Sequence, residues 1–189
     1  FIGSAVLDSR FGLNQGFDTY VDDFNFSRLL ETNLDQMERR GDLVMDEALS
    51  WLKRSPRQPF FLWVHLYDPH HPYSPPEPYA SRYRARPYDG EMAFADAQLG
   101  RLLAFLQQRG IFEKSLMVLA GDHGEGLGEH GEKTHGFFVY NSTLHVPLVL
   151  KIPGAAPRTG ADEVSLVDVM PTVLQALKIS IPASAQGRS

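Results

Sequence analysis

Gly121-Asp-His-Gly-Glu-Gly-Leu-Gly-Glu-His-Gly-Glu-Lys-Thr-His-Gly136 packs three histidines, four carboxylates and a lysine into sixteen residues. The apolar run Ser115-Leu-Met-Val-Leu-Ala120 directly before it reads as a buried strand. A strand that ends in Asp122-His123 delivers two metal-ligand side chains to the carboxyl edge of a sheet, where ligands bind in open α/β folds. Glycines at 121, 124, 126, 128, 131 and 136 disfavour a regular helix and let backbone approach a bound anion closely.

Outward from this loop, chemistry-bearing residues stay concentrated. All seven histidines (65, 70, 71, 123, 130, 135 and 145) fall between positions 65 and 145, which favours a shared site. The 189 residues are 43% hydrophobic and 22% charged, an ordinary globular balance for one domain. A net charge of -5 without a basic face argues against nucleic acid as a partner. With no cysteine, disulfides and thiolate metal sites are excluded. No apolar run reaches the ~18 residues of a membrane span.

The remaining pattern alternates strand and helix. Ile2–Leu7 reads as a short strand, followed by a loop to Phe26 rich in Gly, Asp and aromatics. A helix is expected from about 33 to 53, interrupted near Gly41 and ended by Pro56 and Pro59. Phe60-Phe-Leu-Trp-Val-His-Leu66 reads as a strand buried on both faces. The proline- and tyrosine-rich stretch 69–87 is an extended loop over the sheet edge. A second helix runs from Asp89 or Gly90 to Gln108, with Met92, Ala95, Leu99, Leu102, Leu103 and Leu106 inward and Gly110 after its end. Val146–Ile152 is another strand, and Asp168 caps a short helix over about 169–178 that tolerates Pro171 in its first turn. The order implies an α/β fold: a mainly parallel sheet with right-handed crossovers, flanked by helices. Residues 1–182 are expected to form the domain in part, and 183–189 a tail that is either poorly ordered or torn from further structure.

Asp122 and His123 are the candidate metal ligands. A carboxylate with a neutral imidazole suits Zn, Mn or Fe, whereas calcium draws mainly on oxygens. The alternative is an Asp capping a turn beside a hydrogen-bonded His. Lys133 and His135 put cation-capable groups beside that pair, as a sulfate or phosphate ester requires; the alternative is an exposed polar loop. In Asp68-Pro-His-His-Pro-Tyr73, a histidine on a proline-stiffened loop suits proton donation, with Asp68 orienting His70 or His71; otherwise these rings pack on tyrosines. Glu91 and Asp96, on the helix after the proline-rich loop, read as solvated helix-face charges, the alternative being that they reach the site; His130 and His145 read as structural or as supporting the site residues from behind. The sequons at Asn25 and Asn141 match by chance too readily to carry weight.

Taken together, these pieces resemble the sulfatase family of the alkaline-phosphatase superfamily, in particular bacterial sulfatase-like hydrolases. The resemblance lies in Val6-Leu-Asp-Ser-Arg-Phe-Gly-Leu13 with Gly16-Phe-Asp18, in Pro59–Leu62 through Asp68–Tyr73, and in Tyr88-Asp-Gly-Glu-Met-Ala93 with Asp96. It continues in Gly121–Gly131, Val146-Pro-Leu148 with Pro153-Gly154, and Val167-Asp-Val-Met-Pro-Thr172. It implies an alkaline-phosphatase-like α/β fold and a metal-dependent sulfuric ester hydrolase. Asp122 and His123 match the late pair of metal ligands, His70 the histidine that protonates the departing alcohol, and His135 with Lys133 the group that grips sulfate or phosphate. The implied cation is Ca²⁺ first, with Mn²⁺ or Zn²⁺ behind it. The implied substrate is a small-molecule or glycan sulfate or phosphate ester, and an extracytoplasmic setting, periplasmic or secreted, is favoured.

Two family elements have no counterpart here: an early acidic metal-ligand pair, and the Cys/Ser-x-Pro-x-Arg element that yields the formylglycine nucleophile. Both are expected in an N-terminal part of the domain, before Phe1, so this chain alone is expected to be inactive. Two other readings stand beside the sulfatase one. The Asp-His pair and His135 suit a phosphodiesterase or phosphoethanolamine-type transferase of the same superfamily. A non-catalytic binding domain would lack the nucleophile altogether.

Overall fold

The computed structural model describes residues 1–26, 37–54, 57–160 and 162–189. It divides into two compact units, Phe1–Gln108 and Arg109–Ser189.

In the first unit the N-terminal residues thread between two other segments. Ile2–Leu7 is not the expected strand. Ala5–Leu7 is a 3₁₀ turn, and Ser4 forms an isolated antiparallel bridge with Glu38. On the other side, the Phe1 amino group donates to Trp63 O at 3.0 Å and His65 N–H donates back to Phe1 O at 3.0 Å. Those two bonds follow the slanted pattern of a parallel pair, yet residues 60–66 stay extended without becoming a strand. Gly3 is required at this crossing, because a Cβ there would lie 2.9 Å from His65 O and 3.0 Å from Tyr67 N.

Helix α1 (Gly41–Lys53) starts later than its apolar stripe suggests. Residues 37–40 are taken by the bridge to Ser4 and by the Arg39 N–H bond to Gly3 O; the expected start at 33 lies outside the described residues. Its buried face carries Val44, Met45, Ala48, Leu49 and Leu52. Val44 and Ala48 pack with Phe1, and Val21, Trp51, Leu62, Val64 and Leu66 close around them. The segment 60–66 is thus buried on one face only, with Phe61 73% exposed.

After a single turn, α2 (Tyr79–Arg82), the long α3 (Pro87–Gln108) follows. Its buried positions are Gly90, Glu91, Phe94, Gln98, Leu102 and Leu106. Met92, expected inside, is exposed, because the buried stripe runs through a glutamate and a glutamine that an apolar count overlooks.

The second unit holds β1 (Met117–Ala120) and β2 (Leu148–Lys151), paired antiparallel with Met117 opposite Lys151 and Ala120 opposite Leu148. A mainly parallel sheet was expected, but this pair, the sheet among the described residues, is antiparallel. The connection from 121 to 147 is a glycine-rich loop plus the four-residue α4 (Asn141–Leu144). It has no long helix to carry the chain across the sheet as a parallel crossover requires. The expected burial of 115–120 is only partial, since Leu119 is 46% exposed. Near the C-terminus, Ser165 and Asp168 form a capping box ahead of α5 (Val169–Ala176), with Pro171 buried in its first turn. The second Asp168 oxygen accepts the Arg188 N–H at 2.8 Å, which ties the last residues to the start of α5.

Candidate functional site

In the second unit, β1 ends and the chain closes into a knot of backbone contacts. Gly121 N–H bonds Pro147 O, Gly124 N–H bonds Thr143 O, and Gly126 N–H bonds Thr134 O. Two glycines are dictated by closeness. A Cβ on Gly124 would lie against Ser142 O, and one on Gly126 would lie 2.5 Å from Thr134 O and 2.7 Å from Glu132 O. The return arm is pinned by Glu132, a buried carboxylate whose Oε1 accepts the Phe137 N–H at 2.9 Å and the Phe138 N–H at 3.4 Å. These bonds fold residues 132–138 back over 122–126.

That folding brings His123 and His135 together, with ring centroids 4.1 Å apart and planes inclined 34°. Each ring is oriented through Nδ1. His123 Nδ1 is 2.9 Å from Gly124 O, and a carbonyl only accepts, so Nδ1 carries the proton and the neutral ring keeps its Nε2 lone pair. His135 Nδ1 lies 3.2 and 3.3 Å from the two oxygens of Glu125, whose side chain is 5% exposed. An ionised carboxylate only accepts, so Nδ1–H donates. Glu125 was not singled out in the sequence. Its position two residues after His123, amid glycines, was the available signal.

Asp122 is exposed, and its Oδ1 accepts the His123 N–H at 2.9 Å. Its Oδ2 lies 3.9 Å from His123 Nε2, a separation that two donors bound to one cation also show when each sits ~2.1–2.4 Å from it. By donor chemistry and separation the pair is compatible with part of a metal shell, one carboxylate oxygen and one imidazole nitrogen. Among the described residues, no group of three or more His, Asp or Glu is placed to hold a metal ion. Lys133 stands exposed on the same loop and makes no ion pair among the described residues. His130 stacks on Tyr140 at 4.2 Å and His145 ends α4.

His70 belongs to the first unit. Its ring stacks on Tyr67, centroids 4.1 Å apart and planes 22° apart, and its Nε2 is 2.9 Å from the Tyr67 hydroxyl. Asp68, expected to orient His70 or His71, has a bond to a distant helix. Its Oδ2 accepts the Gly41 N–H at 2.9 Å, so it caps α1 from 27 residues away, and burial pushes its carboxyl above the ordinary range. His71 is exposed, edge-on to Tyr73. His65 accepts from Gly3 N–H through Nδ1 at 3.4 Å.

Glu91 overturns its expected place on a solvated face, whereas Asp96 is exposed as expected. Glu91 is 5% exposed, and its carboxylate accepts the backbone N–H of His70 at 3.1 Å and of Ser74 at 2.5 Å. Burial, with Asp68 and Glu38 nearby, pushes it from 4.5 up to about 7 against the opposing pull of those two hydrogen bonds.

The chain belongs to the Sulfatase family, whose profile it matches over residues 3–179. It is 29% identical over 192 residues to an arylsulfatase of Clostridium perfringens, an alignment covering 77% of this chain and 40% of that protein. PehA of Trinickia caryophylli, a multifunctional alkaline phosphatase superfamily protein, is 27% identical over 202 residues, covering 76% of this chain and 39% of PehA. The phosphonate monoester hydrolase SpPMH from Silicibacter pomeroyi shares the fold, with a TM-score of 0.71 and 21% identity over 93% of this chain and 47% of that one. The chain thus spans about two fifths of the length of these two curated relatives. No helix among the described residues is long and apolar enough to cross a membrane.

Proposed function

We propose that this chain supplies the oxyanion-gripping side, part of the metal shell and the proton donor of a sulfuric ester hydrolase. The observation that carries the reading is the His123–His135 ring pair beside Asp122, with each ring's Nδ1 already committed to Gly124 O or Glu125. Asp122 and His123 would hold a divalent cation, Ca²⁺ before Mn²⁺ or Zn²⁺. Such a cation, when bound, polarises the ester and offsets its negative charge.

The chain's own residues divide the remaining work. Protonated at Nε2, His135 donates toward a non-bridging oxygen, and Glu125 stabilises that imidazolium from the other side of the ring. Lys133 adds a second positive charge on the same loop. His70 gives its proton to the leaving oxygen. The Tyr67 hydroxyl already occupies a hydrogen-bond position at His70 Nε2, so it holds the donor direction until the leaving oxygen takes its place. The nucleophile, a formylglycine in the sulfatase reading, is not among these residues.

A second reading, a phosphodiesterase or phosphoethanolamine-type transferase, draws support from the Asp122-His123 pair and from His135 twelve residues after His123. Turnover of an aryl sulfate and of an aryl phosphodiester by the protein that carries this chain separates the two. Faster cleavage of the sulfate, abolished by chelation, is the expected result. Phosphodiester cleavage with undetectable sulfate turnover would remove the sulfatase label, and no turnover of either would leave a binding domain.

A further inference from the structure

The loop bearing His70 is held by a residue that the proposed reaction does not yet use. Between Pro69 and Ser74 the chain has two prolines without N–H groups, so few backbone donors remain to fix it. Glu91 takes two of them, one at each end of His70–Ser74. A carboxylate offers each N–H an oxygen of its own, whereas the amide end of a glutamine donates and would face one of these donors. The helix bearing Glu91 also presses against this segment: a Cβ on Gly90 would lie 2.9 Å from Pro75 Cγ. With Tyr67 stacked on the ring face, His70 is fixed by its backbone and by its ring at once.

A carboxyl group buried near two further acids, Glu38 and Asp68, is a costly choice for simply closing a turn. Costly buried groups of this kind concentrate where function needs them.

We propose that Glu91 is a positioning residue: by gripping the backbone at residues 70 and 74 it aims the His70 imidazole at the leaving oxygen. This rests on the proton-donor reading of His70 above. Proton donation matters most when the leaving alcohol is a poor one, so the readout is a ratio of rates.

In the protein that carries this chain, kcat is measured for a sugar or alkyl sulfate, with a poor leaving group, and for nitrophenyl sulfate, with a good one. His70→Ala lowers the alkyl-to-aryl kcat ratio by roughly 100-fold or more, the usual weight of a general acid. Glu91→Gln lowers the same ratio about tenfold, with KM little changed, and Glu91→Asp recovers part of it. If His70→Ala shifts the ratio and Glu91→Gln does not, the positioning role is overturned while the proton-donor reading stands. If His70→Ala leaves the ratio unchanged, both fall.

A measurement on the unmodified protein guards against variants that misfold. Amide hydrogen exchange should be slower at His70 and Ser74 than at His71. Equal exchange at all three would overturn the clamp.

Discussion

Replacing Gly126 by alanine tests the loop geometry at its tightest point. The new Cβ would sit 2.5 Å from Thr134 O and 2.7 Å from Glu132 O, both backbone atoms that cannot swing aside as a side chain would. Relief requires residues 132–134 to retreat, and retreat stretches the Gly126 N–H bond to Thr134 O, now 2.8 Å. Overpacking costs about 1–3 kcal/mol, and the lost hydrogen bond adds about 1 kcal/mol. The sum, ~2–4 kcal/mol, lowers the ratio of closed to open loop by roughly 30- to 900-fold. The assay is a urea titration read at the amide NMR signals of residues 121–140. With a slope near ~2 kcal/mol/M, the midpoint falls by about 1–2 M. Gly100→Ala is the control: nothing lies within 4 Å of its added Cβ, and inside α3 it should stabilise by ~0.5–1 kcal/mol. An unchanged midpoint for Gly126→Ala would refute the closed loop, and with it the reason His123 meets His135.

Other outcomes follow from the same structure. Glu91 has a folded-state value of about 7 against 4.5 ordinarily, so the folded form holds its proton more tightly. Its stabilising share is therefore complete below pH 4.5 and is lost as pH rises through about 7. The full shift would be worth about 3 kcal/mol, and solvent screening reduces it to ~1–2 kcal/mol. Thermal melts of wild type at pH 5 and pH 8 should differ by that amount, and those of Glu91→Gln should not; parallel melts of the two proteins contradict it. Asp68→Ala strips the cap from α1 and should cost ~0.5–2 kcal/mol, read through the fluorescence of Trp51 on that helix; an unshifted transition would show that the Gly41 contact contributes nothing. Tyr67→Phe removes the hydroxyl from His70 Nε2 while keeping the stack, so it should change the pH profile of turnover more than KM. A profile identical to wild type would show that the hydroxyl does not hold the proton position.

The close approach of the candidate loop residues was legible because they are local. Asp122, His123, Lys133 and His135 lie within fourteen residues, and the glycines between them announced close backbone packing. What the sequence concealed were partnerships at a distance and polar groups indoors. Asp68 stands beside two histidines in the sequence but serves Gly41. Glu91 sits on a helix whose apolar spacing pointed to Met92, since a count of apolar residues gives no weight to a buried carboxylate. The apolar runs at 60–66 and 115–120 read as buried strands, yet Phe61 and Leu119 are exposed, because hydrophobicity shows what a residue prefers and not what lies against it. Among the described residues α1 begins only at Gly41, because residues 38 and 39 pair with the N-terminal segment, a contact more than thirty residues long in sequence that no local pattern reports.

Metal content is the most direct test of the claim at the centre of this account, that Asp122 and His123 ligate a cation beside the oxyanion grip. Elemental analysis after exhaustive dialysis should find a divalent cation bound to the protein that carries this chain, and should find it lost together with ester turnover in His123→Ala. Unchanged stoichiometry in His123→Ala would contradict the ligand role and the site built around it.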